Sequence, residues 1–213
     1  MPFILATAAY LAGSIPFSFL VAKFFAGKDV RKEGSRNVGA TNVVRTAGRV
    51  PGAIALVLDL AKGYAAVELA RWIISRPDWP FRPDAGGGAL QSQAFWIALA
   101  GLLAVIGHIY PVWLRFHGGK GVATAAGAFL AMNPVVAGGA AIVFLIVIVA
   151  TRYVSLASIL SAASVPLLFR FFVESAPFWQ IVVSIAMSLL VIVRHHSNIA
   201  RLAQGTERKL GER

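Results

Sequence analysis

The sequence predicts an all-α, polytopic integral membrane protein with about seven transmembrane helices, and three observations predict it. Apolar residues make up 58% of the 213 and charged residues only 14%, a balance too apolar for a single soluble core. The apolar residues fall in runs of about 17 to 25, the length that carries a helix across roughly 30 Å of hydrocarbon. The Lys and Arg residues gather at alternate ends of those runs.

Hydropathy places the spans at roughly 3–25, 51–74, 94–114, 121–132, 134–150, 156–173 and 178–193. The first run, Phe3 to Phe25, has no positive residue before it and is too long for a signal-peptide core, so it reads as an uncleaved span. The second carries Asp59 and Lys62, three residues apart. Each unpaired charge there costs about 2.5 to 3.5 kcal/mol, so the two are expected to face the protein interior and pair. The fourth run is short and closed by Asn133-Pro134, which predicts a half-helix or re-entrant segment and leaves five or six full spans open. After Arg152-Tyr153, the sixth shows Ser155, Ser158, Ser161 and Ser164 every three residues, a pattern of close helix packing in which Ser155 or Ser158 could also meet a ligand. The stretch 75–92, with Pro77, Pro80, Pro83 and Gly86-Gly87-Gly88, reads as an external turn.

Charge sets the orientation. Lys23, Lys28, Arg31, Lys32, Arg36, Arg45, Arg49, Arg115, Lys120, Arg152, Arg194, Arg201, Arg208, Lys209 and Arg213 fall on one side, against Arg71, Arg76, Arg82 and Arg170 on the other. The positive-inside rule then puts the N-terminus outside and the C-terminus in the cytoplasm, with one domain over 1–213. A net charge of +11 does not point to nucleic acid, because the cations flank spans and form no soluble basic face; anionic headgroups or an anionic substrate fit better. The chain has no cysteine, which excludes disulfides, thiolate metal sites and a cysteine nucleophile.

The polar residues with chemical potential concentrate in three stretches, all on the cytoplasmic side. Gly34-Ser35-Arg36-Asn37-Val38-Gly39-Ala40-Thr41-Asn42, with Arg45 after it, sets small polar residues and glycines beside an arginine. Backbone N–H groups in such a loop can converge on an anion that the guanidinium clamps; a turn-rich loop ending in a helix cap is the plainer reading. Gly107-His108-Ile109-Tyr110-Pro111 and then Phe116-His117-Gly118-Gly119-Lys120-Gly121-Val122-Ala123-Thr124 frame one lysine with glycines at the start of an apolar helix, an arrangement that attracts phosphate; a glycine turn with a snorkelling lysine is the plainer reading. It is not a Walker A loop: Gly121 stands where Ser or Thr follows that motif's Lys, and Leu114 where its first Gly falls. Arg194-His195-His196-Ser197-Asn198, followed by Arg201, Gly205, Thr206 and Glu207, closes the last span. No Cys or acidic partner lies at metal-ligand spacing from the two histidines, which favours hydrogen bonding or phosphate contact over a metal; taken by itself, the stretch reads more plainly as a basic stop-transfer tail.

With these stretches in this order, and with Tyr153-Val154-Ser155-Leu156 and Asp59-Leu60-Ala61-Lys62-Gly63 between them, the chain resembles the bacterial acyl-phosphate:glycerol-3-phosphate acyltransferase family (the PlsY family) over nearly its whole length. It departs from the family at Arg36, where Gly is frequent, and at His196, where Arg is frequent. The resemblance implies transfer of a fatty acyl group from acyl phosphate to the 1-hydroxyl of glycerol 3-phosphate, giving lysophosphatidic acid and phosphate at the inner membrane of a bacterium, without coenzyme A, cofactor or metal. The His-x4-Asp pair of the acyl-CoA-dependent glycerophosphate acyltransferases is absent: Trp113, Val122, Ala200 and Arg201 stand five residues after His108, His117, His195 and His196.

The expected site follows from the same residues. Lys120 and Arg45 are expected as phosphate clamps, with Ser35, Asn37, Thr41 and Asn42 shaping the first loop and the amides of Gly118, Gly119 and Gly121, beside Thr124, holding a phosphoryl group. His195 and Asn198 are expected on glycerol 3-phosphate, Ser155 or Ser158 beside them, and Glu207 as an anchor for an arginine. His195, next to Arg194 and near Arg201, is expected in a cationic, phosphate-receiving role, with the substrate's own phosphate taking the hydroxyl proton. A transporter or channel for a small anion is the rival; it predicts polar residues in both halves of the membrane and an internal repeat, and none is visible.

Overall fold

A computed structural model describes residues 1–81 and 88–212 of the chain. Arg82, Pro83 and Gly86-Gly87 of the expected external turn, and Arg213 of the tail, lie outside the described residues. The described chain is helical throughout: α1 (Pro2–Ser14), α2 (Phe17–Ala26), α3 (Ala40–Ala47), α4 (Arg49–Ile74), α5 (Gln93–Ile109), α6 (Val122–Met132), α7 (Pro134–Thr151), α8 (Val154–Phe172), α9 (Phe178–Val193) and α10 (His196–Ala203). Five segments are long and apolar enough to cross a membrane, α1 with α2 counted as one of them; α9 joined to α10 through a 55° bend makes a sixth candidate. The short α6 is the expected half-length element: its 11 residues rise only about 16 Å.

The first span is not one rod. Pro16 has no N–H to give and restricts Ile15 to an extended conformation, so α1 stops at Ser14 and α2 starts at Phe17. The interruption takes the Ile15 carbonyl out of the helix ladder; it accepts Phe17 N at 3.0 Å and the ammonium of Lys62 on α4 at 2.8 Å. Lys62 also pairs with Asp59 at 2.8 Å, as the sequence predicts, and both are buried. The charges are thus held by each other and by a broken helix, which lowers the cost of placing them in an apolar layer.

The Asn133-Pro134 pair, expected to close α6, also opens α7. Asn133 Oδ1 accepts the amides of Val135 and Val136, both at 3.1 Å, and Pro134 takes the first helical position, where its missing N–H costs nothing. Of the four serines of α8, Ser161 alone bonds a neighbouring helix, donating to Ala140 O on α7 at 2.8 Å; Ser158 and Ser164 donate within their own helix, and Ser155 donates to Glu207 in the tail. α6 is pressed against α4, since a Cβ on Gly127 would lie 1.9 Å from Leu60 O and one on Gly63 would lie 2.0 Å from Thr124 O. Thr124 is therefore fully buried in the helix contact, its carbonyl toward Gly63, and does not reach a ligand site. α7 stands at the rim of the bundle with most of its surface free to face lipid.

Candidate active site

The loops at one end of the bundle enclose a large cleft of about 1400 Å³. The first loop is built on Asn42. Its side-chain oxygen accepts Ser35 N at 2.8 Å, and its amide nitrogen donates to Val30 O at 2.8 Å, Asn37 O at 3.0 Å and Glu33 O at 3.2 Å. With these contacts Asn42 organises the loop, and its capacity for a substrate is already spent. Arg36 has φ 57 in this loop, the left-handed region that favours glycine, which gives the family's frequent Gly there a backbone reason. Ser35, Asn37, Thr41 and Arg45 are left facing the cleft, the last two one helical turn apart on α3. Burial lowers the pKa of the Arg45 guanidinium, the charge of Arg208 adds to this, and Arg remains cationic all the same.

The glycine loop turns back on the end of α5. Gly118 N donates to Ile109 O at 3.0 Å and Gly119 N to His108 O at 3.1 Å, so these amides satisfy helix-terminal carbonyls. They do not point at an anion, contrary to the expectation, because α5 ends beneath the loop and its last carbonyls take both donors. Gly119, like Thr124, is also absent from the cleft wall. The open donors lie one step on: Gly121 is the N-cap of α6 without any side-chain cap, and the first amide used inside that helix is Ala125's, to Gly121 O at 2.8 Å. The start of α6 and Lys120 together face the cleft, an anion site of helix dipole plus ammonium.

Lys120 Nζ donates to Asn198 Oδ1, and Asn198 passes the contact on, its amide donating to Glu207 Oε1 at 2.6 Å. Ser155 Oγ donates to the same oxygen at 2.7 Å and Arg201 Nε to Oε2 at 2.7 Å. Glu207 is thus the expected arginine anchor, and it holds Ser155 and Asn198 as well. Burial works to raise its pKa, and the bonds from Asn198, Ser155 and Arg201 outweigh it, leaving the carboxyl below its ordinary value. The tail carrying Glu207 is fixed at its far end, where Leu210 N donates to Arg152 O at 2.7 Å and Arg152 Nη2 to Leu210 O at 2.9 Å. Burial pushes the Lys120 ammonium down to about 8, Glu207 opposing and Arg201, Arg194 and Arg45 assisting.

His195 differs from expectation in its charge. Its Nδ1 lies 2.8 Å from Val191 O, and a carbonyl only accepts, so Nδ1 carries the proton and Nε2 is a free acceptor. Burial pushes its pKa down to about 4 against that bond, and Lys120 adds to the fall. The ring is neutral near pH 7, not a cation receiving phosphate.

The cleft also holds cations the sequence expectation left out of the site: Arg194, Arg201 and Arg208. No helical periodicity groups them, since Arg194 sits at the break between α9 and α10, Arg201 on α10, and Arg208 in the non-helical tail after it. Deeper down the wall turns apolar, with Ala126, Phe129, Ala141, Phe144 and Val165 among its residues. The cleft is thus cationic at the loops and hydrocarbon-like toward the middle of the bundle.

This architecture has known relatives. A family model described as glycerol-3-phosphate acyltransferase matches residues 3–205. The chain is 42% identical over 205 residues to a glycerol-3-phosphate acyltransferase of Desulforamulus reducens, covering 96% of this chain and 93% of that one. To the enzyme so named from Trichlorobacter lovleyi it is 45% identical over 201 residues, with 94% and 93% covered. Crystal structures of the integral membrane glycerol 3-phosphate acyltransferase PlsY superpose on 99% of it, at TM-scores of 0.84 for the glycerol 3-phosphate form and 0.81 for the lysophosphatidic acid form, with 38% and 37% identity and 96% and 95% of those chains covered. The chain therefore belongs to the glycerol-3-phosphate acyltransferase family of multi-pass integral membrane enzymes.

Proposed function

We propose that the chain transfers a fatty acyl group from acyl phosphate to the 1-hydroxyl of glycerol 3-phosphate, yielding lysophosphatidic acid and inorganic phosphate, and that residues 1–213 act as one domain. The observation that carries this is the two-part cleft. Both substrates bear phosphate and the donor also bears an alkyl chain, and one cavity offers Arg45, Lys120, Arg194, Arg201 and Arg208 beside an apolar channel. The positive-inside balance supports a mouth that opens on the cytoplasmic side of the inner membrane.

Lys120 and the open amides at the start of α6 hold one phosphate, and Arg45 clamps the other from α3. Ser35, Asn37 and Thr41 complete the mouth, and Ser158 lies deeper along the wall, its hydroxyl donating to Val154 O at 2.8 Å. His195 Nε2 accepts the hydroxyl of glycerol 3-phosphate and orients its oxygen toward the acyl carbonyl carbon. A new C–O ester bond forms, the carbonyl C–O bond to phosphate breaks, and phosphate leaves with its charge neutralised by Lys120. With a pKa of about 4, His195 is a weaker base than a phosphate monoester, whose second pKa is about 6. The substrate's phosphate is therefore the proton acceptor and His195 the orienting group. In this reading His195 keeps a binding role for a different reason than its cationic neighbours suggest: a neutral ring is too weakly basic to compete for the proton.

The anion-transporter reading fares worse, because the polar cleft residues lie toward one end and Asp59 and Lys62 are bound to each other. The test is a donor comparison with purified protein, glycerol 3-phosphate, and either acyl phosphate or acyl-coenzyme A. Lysophosphatidic acid is expected from acyl phosphate alone; formation from acyl-coenzyme A at a comparable rate rejects the proposed donor.

A further inference from the structure

At the floor of the cleft, whose lining includes Asp59 and His108, lies a buried polar cluster that the chemistry above does not use. Asp59 of α4 pairs with Lys62 at 2.8 Å, accepts Ser18 Oγ of α2 at 2.6 Å, and has Oδ1 3.5 Å from Nδ1 of His108 on α5. All four side chains are buried. Asp59, Lys62 and Ser18 tie the broken first span to α4, and His108 extends the cluster toward the loops. It sits in the last turn of α5 with its other edge against the glycine loop. A Cβ built on Gly119 would lie 2.1 Å from His108 Nε2, 3.0 Å from its Cδ2 and 2.4 Å from Val38 O. The ring is therefore wedged between Asp59 and the point where the first loop, at Val38, meets the glycine loop, at Gly119. The main chain repeats the attachment, Gly119 N donating to His108 O at 3.1 Å, and the next residue is Lys120.

We propose that His108, held in place by Asp59, is a positioning residue for acyl transfer: its ring sets the height of Gly119 and so aims Lys120 into the cleft. The inference rests on the reading of Lys120 as a phosphate clamp. It follows from the short lever between the two residues, since one peptide bond separates Gly119 from Lys120, and a displacement of about 1 Å in a reacting group costs up to about 100-fold in rate. A rigid buried ion cluster is a firmer support for such a lever than a solvated loop.

The test compares His108→Asn, which keeps an amide near the Nδ1 position for Asp59 and withdraws the atoms at Gly119, with the parent enzyme in detergent. Three readouts are taken: the thermal midpoint, kcat/KM for both substrates, and the pH midpoint for chemical acylation of the Lys120 amine, followed on its own peptide by mass spectrometry. A fold that holds, a loss in kcat/KM of at least about tenfold, and a Lys120 midpoint raised from about 8 toward that of a free lysine are expected. If His108→Asn does not accumulate in the membrane, Gly119→Ala, which loads the same contact from the loop side and removes no buried polar group, is read by the same criteria. Activity lost with the Lys120 midpoint unmoved shows a merely structural role and overturns the proposal, as does activity within about threefold of the parent. Lys120→Ala separates the two layers. If it is unimpaired, the phosphate-clamp reading falls and this proposal with it; if it is impaired while His108→Asn behaves as the parent, this proposal alone falls.

Discussion

At the scale of single residues, two protonation states at the cleft govern the expected pH dependence. Burial holds the Lys120 pKa at about 8, so in the free enzyme its charge is present below that pH and is lost as pH rises through it. The falling limb of kcat/KM is expected near pH 8, and Lys120→Arg is expected to abolish that limb, because a guanidinium stays protonated, while restoring only part of the rate. Lys120→Ala should cut turnover by about 100-fold or more at unchanged helicity, the cost of removing one preorganised donor from a developing phosphate charge. His195, held near 4, should give no inflection between pH 6 and 7. His195→Ala should raise KM for glycerol 3-phosphate and leave substantial turnover at saturation. Glycerol, which brings no phosphate to act as base, should accept almost no acyl group even when saturating; efficient, His195-dependent transfer to glycerol would make the imidazole the base after all.

The elements show why parts of the site could be read in advance and others could not. Asp59 and Lys62 announced their pairing through its alternative: two unpaired charges in an apolar run are too costly. The measurable consequence is that Asp59→Asn should lower stability in detergent by about 3 to 5 kcal/mol, and neutralising Lys62 as well should recover part of it. Recovery is expected to be incomplete, since Ser18 and Ile15 O also lose partners. A double variant whose loss equals the sum of the singles would show no coupling. Thr124 and Gly119 were misplaced because spacing alone gives neither the phase of a helix nor the face of a loop. α6 turns Thr124 toward Gly63 of α4, while its neighbours Ala123, Ala125 and Ala126 line the cleft. Gly127→Leu, which must fit its side chain where Leu60 O approaches a Cβ to 1.9 Å, should destabilise the α4–α6 contact by about 1 to 3 kcal/mol or more. A thermal midpoint equal to the parent's would contradict that packing.

For the whole molecule, hydropathy and charge gave the apolar segments, the short α6 and the gathering of polar motifs at one end, because the bilayer imposes length and sidedness on any chain that crosses it. The joining of three distant motifs into one cleft was not legible. It depends on tertiary contacts such as Lys120 to Asn198, 78 residues apart, and Ser155 to Glu207, 52 apart, which carry no local pattern. The bond between Leu210 and Arg152 that fixes the tail was equally invisible, being in part main chain to main chain. The central claim is that this single cleft joins an acyl phosphate to glycerol 3-phosphate. Its most direct test is to incubate the purified, folded protein with both substrates and quantify lysophosphatidic acid and released phosphate together. The two products are expected in equal amounts, both falling in parallel in Lys120→Ala; folded protein that makes neither product rules out the proposed reaction.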